Sequence, residues 1–343
     1  MNYRIIIWLI LIFIFVYSLK IKKQTKKLEF TKEESLNLKG LFCLLVIIGH
    51  IASWTNKEPI FSFSSNFGFF AVGGFLFISG YGLAKNSNNK LSKFIKKLLI
   101  MIIPFILINF IFYLLFNLLG DKVSILDTLK SLINFHPIAY FSWYVVAIII
   151  FYILFFITNK ILKKPLPIVI ALFIEITIYN FLTYHFGLIY SWWLSNYAFV
   201  LGTLIAYDFK YISNLIKKYY KIIFSTIFVL FLLTLDVQFI LEKGFGTIYN
   251  ALISWACITA FPSLIYLFLQ KFELNSKTFK FIGKYSYEIY LVQGIPLLLL
   301  RSKYLTISND FIYTILCILC SIIIGILFYY INNFIYRITK LKS

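Results

Sequence analysis

The sequence predicts an all-α fold, a polytopic membrane bundle of about eleven transmembrane helices. Three observations carry this. Hydrophobic residues make up 61% of the 343, charged residues only 13%, and mean hydropathy is +0.88; a soluble domain carries about 25% charged residues. Apolar runs long enough to cross a bilayer recur along the whole chain. The short alternating stretches of a membrane β-barrel are missing, so backbone groups in lipid must be satisfied within helices.

The spans follow in order as Ile5–Leu19, Leu38–Trp54, Phe67–Ala84, Leu98–Leu119, Ile138–Thr158, Leu166–Phe186, Tyr190–Tyr207, Ile222–Leu241, Ile248–Leu269, Tyr285–Leu300 and Phe311–Ile335. The first resembles a signal peptide in length, but only Arg4 precedes it and no small-residue cleavage site follows. Net charge is +20, from 33 Lys+Arg against 13 Asp+Glu. The cations fall in alternate short loops: Lys20–Lys39, Lys85–Lys97, Lys160–Lys164, Lys210–Lys221, Lys271–Lys284 and Arg337–Lys342. That alternation marks a cytosolic side rather than a nucleic-acid surface. It places the N-terminus outside and the C-terminus in the cytoplasm of a multi-pass plasma-membrane protein. Cys43, Cys257, Cys317 and Cys320 all sit inside apolar runs, which reads as buried small hydrophobes rather than disulfides or a metal site.

The second span, LKGLFCLLVIIGHIASW, carries Lys39 at its start and His50 near its end. Eleven residues at about 100° each bring both side chains to one helix face, separated by roughly 16 Å along the axis. Ionisable groups at membrane depth are costly and point to function. The alternatives are a snorkelling lysine and a packed histidine. On the expected topology Lys39 sits at the inner boundary and His50 in the outer half. An anionic donor could then bind from the cytosol while an acceptor arrives from outside, with both groups lining one polar cavity.

The run Leu38–His50, followed by GGFLFISGYGLAK (Gly73–Lys85), resembles the membrane-bound acyltransferase 3 family. FIKKLLIMIIPF (Phe94–Phe105), WYVVAIIIFY (Trp143–Tyr152), SWWLSNYAFVLGTLIAY (Ser191–Tyr207) and GKYSYEIYLVQ (Gly283–Gln293) are similar to further stretches of that family, in its order. The resemblance implies a ten-helix core over residues 36–343, preceded by a helix and basic loop over 1–35. It also implies transfer of an acyl group, usually acetyl, from acyl-CoA to a hydroxyl of a cell-surface or lipid-linked glycan, with no tightly bound cofactor and no metal.

By that resemblance His50 matches the family's essential histidine, acting as a general base or carrying the acyl group covalently. Lys39 stands where the family usually has arginine, retaining charge but losing the bidentate fork. Lys39, Lys96 and Lys97 are candidate contacts for the phosphates of acyl-CoA, with Ser286 and Tyr287 beside them; topology alone also explains the lysines. Trp143, Tyr144, Ser79 and Tyr81 are candidate acceptor contacts, against an aromatic belt for the first pair and close helix packing for the second. Glu175 and Asp236 lie within apolar spans, and Glu175, near mid-span, could orient His50. His136 and His185 fall at outer ends as surface residues. The partners expected are lipid, acyl-CoA and a glycan, with no nucleic acid. An exporter or flippase of glycan or lipid is the alternative function; no inverted repeat is visible to favour it.

Overall fold

Side chains in lipid gain little from burial against hydrocarbon, so the bundle is arranged by which helices are covered on all sides and which on one stripe. The computed structural model describes the backbone of residues 3–22, 30–55, 59–87, 90–134, 136–240 and 248–341, and side chains over 8–22, 30–55, 67–87, 90–134, 136–234 and 251–341. Asp236 lies outside the residues whose side chains are described.

Helix α1 (Tyr3–Tyr17) leads into strand β1 (Leu19–Ile21), then α2 (Lys32–Ala52), α3 (Pro59–Lys85), α4 (Leu91–Leu119), the short α5 (Ile125–Ile133), α6 (Trp143–Ile161) and α7 (Pro165–His185). Next come α8 (Ser191–Leu194), α9 (Tyr197–Ala206), α10 (Lys210–Lys218), α11 (Tyr220–Ile240) and α12 (Ile248–Phe268). Strand β2 (Phe272–Leu274), α13 (Lys277–Lys284), α14 (Ser286–Val292), α15 (Gly294–Leu299) and α16 (Asp310–Ile338) complete the chain. Seven helices among the described residues are long and apolar enough to cross a membrane, and α1 and α11 contribute shorter apolar stretches, Trp8–Tyr17 and Tyr220–Thr234. The protein is therefore an all-α polytopic membrane bundle.

Two of the expected spans are not continuous helices. The run Tyr190–Tyr207 breaks into α8 and α9 at Ser195 and Asn196, and Tyr285–Leu300 breaks into α14 and α15 at Gln293. An interruption of the helical bonding at membrane depth is tolerated only where protein or a cavity covers it; Ser195, Asn196 and Gln293 are all buried and keep right-handed φ/ψ. Among the described residues the strands form one antiparallel pair, β1–β2, with Leu19 opposite Leu274 and Ile21 opposite Phe272. It joins the end of α1 to the segment after α12, so both lie on the same side, as the charge alternation requires.

Helix α2 occupies the centre. Nearly every residue from Leu38 to Ile51 is buried, in contrast to α4 and α16, each buried along a single stripe. On α4 the stripe is Phe105, Ile108, Phe112 and Leu115, spaced three and four apart, while Ile106, Phe110, Leu114 and Leu118 face outward. Helix α2 begins six residues before the expected apolar run. Thr31 and Glu34 form a capping box, Thr31 Oγ1 accepting from Glu34 N at 3.1 Å and Glu34 Oε2 from Thr31 N at 2.8 Å. Glu34 also pairs with Lys22 at 2.7 Å, and Glu33 pairs with Lys280.

Two crossings set the distances in the core. A Cβ at Gly283 would stand 1.8 Å from the carbonyl oxygen of Leu36, and one at Gly40 would stand 1.9 Å from that of Phe279. Helices α2 and α13 thus touch backbone to backbone immediately beside Lys39. A matching contact joins α3 and α9, where a Cβ at Gly80 would lie 2.1 Å from Phe199 O and one at Gly202 2.0 Å from Phe77 O. Small residues permit this close approach. Gly80 thus has a packing role, the alternative that the Ser79–Tyr81 stretch left open.

Candidate functional site

The close α2–α13 crossing delivers Lys39 to a cavity of about 180 Å³ lined by Phe75, Ser79, Met101, Tyr144, Ile148, Tyr152, Ser286, Tyr287 and Tyr290. Its walls come from α2, α3, α4, α6 and α14. Among the described residues no carboxylate pairs with the Lys39 ammonium. The hydroxyl of Ser79 faces the phenols of Tyr144 and Tyr152. Tyr287 is held by donating its hydroxyl to Met101 O at 2.6 Å, and Ser286 Oγ donates to Gly283 O at 3.0 Å.

His50 lines a second cavity of about 390 Å³ with Gly49, Ser53, Gly68, Phe69, Val72, Phe141, Trp143, Ile189, Tyr190, Ser191 and Tyr290. The imidazole lies flat against Phe141, with ring centroids 3.5 Å apart and planes 11° from parallel. Phe141 adopts φ +64°, a conformation uncommon outside glycine and a genuine outlier for a bulky side chain. Its carbonyl accepts a hydrogen bond from the Tyr290 hydroxyl. One residue earlier in the same loop, Tyr140 packs against Trp54, Phe112 and Phe116. Asn109, fully buried on α4, anchors the loop: its Oδ1 accepts from Ala139 N at 3.0 Å and its Nδ2 donates to Phe105 O at 2.8 Å.

Lys39 and His50 share a helix face, as their spacing requires, but line two cavities rather than one. Tyr290 is common to both linings. A third space of about 590 Å³ opens at the Lys39 end of the bundle, lined by Lys85, Lys93 and Lys97 with Asn86, Ser87, Phe94, Phe155, Phe156 and Asn159. Its cations and amides suit an anionic group.

Eight of the residues singled out from the sequence fall in these spaces: Lys39, Ser79, Tyr144, Ser286 and Tyr287 in the first, His50 and Trp143 in the second, Lys97 in the third. Three do not. Lys96 is exposed and lines none of them. Tyr81 packs edge-on against Phe30 and accepts from Phe30 N at 3.0 Å, a contact that closes the Lys39 end of α3. Glu175 accepts from Thr158 Oγ1 at 2.6 Å across the α6–α7 contact, away from the residues lining the His50 cavity. His136 and His185 are exposed, and all four cysteines are free thiols. Among the described residues no cluster of His, Cys, Asp or Glu could hold a metal ion.

Sequence reasoning did not single out Phe141, Tyr152 or Gln293. The last two lie inside stretches quoted for their resemblance, so the signal was present without a role attached to it. At the far end, Arg301 lies in the loop between α15 and α16. It donates to the carbonyl of Trp54, pairs with Asp310 and stacks 4.2 Å over the ring of Tyr313. It thereby holds the end of α2 that carries His50.

A family model described as an acyltransferase domain, the acyltransferase 3 family, matches residues 34–330. No curated protein and no solved structure matches the chain. The matched stretch spans all three cavities and α2 from Glu34 onward, and the chain belongs to the acyltransferase 3 family, as a multi-pass membrane acyltransferase.

Proposed function

We propose that the protein is an O-acyltransferase that moves an acyl group, acetyl in the first instance, from cytosolic acyl-CoA to a hydroxyl of a cell-surface or lipid-linked glycan. The observation that carries this reading is the shared wall: the Lys39 ammonium, without a carboxylate partner among the described residues, and the His50 imidazole line cavities that have Tyr290 in common. In the reaction, the lone pair of His50 takes the proton of the acceptor hydroxyl as that oxygen attacks the thioester carbonyl. The tetrahedral intermediate collapses with cleavage of the C–S bond, and the imidazolium returns the proton to the departing thiolate. The Lys39 ammonium and the Lys85–Lys93–Lys97 space supply cations for donor phosphates. Trp143, Tyr190, Phe69 and Phe141 present aromatic faces of the kind that sugar rings pack against. Donor and acceptor are both substrates, and no resident cofactor or metal takes part in these steps.

Two broken helices favour a second reading, transport of a glycan or lipid without bond chemistry, since transporters build their sites at such breaks. One experiment separates the two. Membranes containing the protein are supplied with radiolabelled acetyl-CoA and surface glycan extracted from the cells that make it. Label should pass to the glycan, and His50→Ala should abolish transfer while leaving the thermal transition in place. Glycan crossing the membrane with no label incorporated refutes the transferase reading.

A further inference from the structure

The break between α14 and α15 holds a buried polar group that the mechanism leaves unused. Gln293 sits there, 1% exposed, one turn beyond Tyr290. Its Nε2 donates to the carbonyl of Tyr290 at 2.9 Å, which fixes the amide orientation: the NH2 group is committed to an acceptor, and Oε1 must point the other way. The Gln293 side chain interacts with the His50 ring. Two atoms of this pair, Gln293 Oε1 and His50 Nδ1, are buried and neither is bonded to another group among the described residues, whereas His50 Nε2 is not among the buried unpaired atoms. With Nδ1 unprotonated both would stay buried acceptors without a donor, which is costly; an N–H at Nδ1 turned toward Oε1 satisfies both.

We propose that Gln293 is the positioning residue of this site, accepting from His50 Nδ1–H and so holding the imidazole in the tautomer whose Nε2 lone pair faces the cavity. The partner of one ring nitrogen decides which nitrogen can act as base. The inference rests on reading His50 as the base.

The chain has three histidines, which makes the tautomer directly measurable. Full-length protein labelled with 15N-histidine is placed in lipid nanodiscs and examined by NMR, the His50 signals being assigned by their loss in His50→Ala. The wild type should show a protonated Nδ1 and an unprotonated Nε2. Gln293→Leu should move His50 to the Nε2–H form or a mixture, while Gln293→Glu, which keeps an acceptor, retains the wild-type signals. In the labelled acetyl-CoA assay, Gln293→Leu should lower kcat by about 10–100-fold with KM within twofold, and Gln293→Glu should recover most of the loss. A wild-type Nε2–H tautomer, or no change in the His50 shifts on Gln293→Leu, overturns the proposal. The spectra need no acyl donor, so failure of the transferase reading would show separately, as absent label transfer beside an intact Nδ1–H tautomer.

Discussion

Adding a single methyl group at Gly283 tests whether the α2–α13 contact sets the position of Lys39. In Gly283→Ala the new Cβ would begin 1.8 Å from Leu36 O, 2.8 Å from Leu36 C and 3.0 Å from Gly40 N. Non-bonded atoms do not approach much below about 3.0 Å, so the two backbones must part by at least about 1.2 Å. No flexible side chain can yield in their place, because the obstacles are all backbone. Overpacking of this kind costs about 1–3 kcal/mol, and a backbone clash belongs at the upper end. For a chain of this size that corresponds to a fall in Tm on the order of 5 °C, measurable by thermal aggregation of the purified protein in detergent. Lys39 adjoins Gly40 and faces Ser286 and Tyr287, three and four residues beyond Gly283. The same separation therefore shifts the ammonium against its own cavity, and misplacement by about 1 Å can cost 100-fold in rate. Gly40→Ala meets Phe279 O at 1.9 Å and should behave alike. The double variant should cost less than the two single effects added together, since one separation relieves both clashes. Gly82→Ala, with nothing within 4 Å of the new Cβ, is the control and should be neutral or stabilising by up to about 1 kcal/mol. Unchanged Tm and transfer rate in Gly283→Ala, or strict additivity in the double variant, refutes the reasoning.

Two further outcomes follow from the cavities. Lys39→Met removes the one cation of the α2 cavity and should raise KM for acetyl-CoA by about 10–100-fold, the worth of a hydrogen bond to a charged group; Lys39→Arg should keep KM near wild type, and a Met variant within twofold of wild type ends the anion-site assignment. Asn109→Leu strands the buried Ala139 N–H and should destabilise the protein by about 1–3 kcal/mol. Hydrogen exchange should rise at Ala139 and Tyr140, and equal protection in both proteins would count against Asn109 as the anchor of that loop.

The helices were legible because lipid imposes a length and a composition on each one, and the alternation of lysine-rich loops fixed their order. The central position of α2 was legible for a related reason: a segment apolar on all faces has to be enclosed. Lys39 and His50 could be paired because their relation is local, a matter of angle per residue along one helix. What stayed hidden depends on contacts between distant segments. Tyr290 meets Phe141 across 149 positions, and no period within either span announces that meeting. The breaks at Asn196 and Gln293 were masked because the flanking residues are apolar, so hydropathy alone reads straight through them. A polar residue followed by Gly294 and Pro296 was the available signal in the second case. The start of α2 was equally available in Thr31 and Glu34, a capping-box spacing that an emphasis on apolar runs passed over. Tyr81 and Glu175 were singled out by residue type, and the fold supplies each with a bond outside the three cavities, Tyr81 to Phe30 and Glu175 to Thr158.

The loop from Ala139 to Trp143 is where the two cavities have to communicate if an acyl group is to reach His50. A bulky residue at positive φ costs about 1–3 kcal/mol and persists only where its surroundings over-determine it. Phe141 is over-determined by three separate contacts: its ring lies on His50, its carbonyl is taken by Tyr290, and the backbone two residues earlier is pinned by Asn109. Two of those contacts belong to residues of the site itself. Tyr290 borders both cavities, and Phe141 and Trp143 border that of His50. On the transferase reading, a donor in the first cavity would meet the Tyr290 phenol and an acceptor in the second the Phe141 ring, so the contacts that hold Phe141 at positive φ are the ones that substrate binding would test.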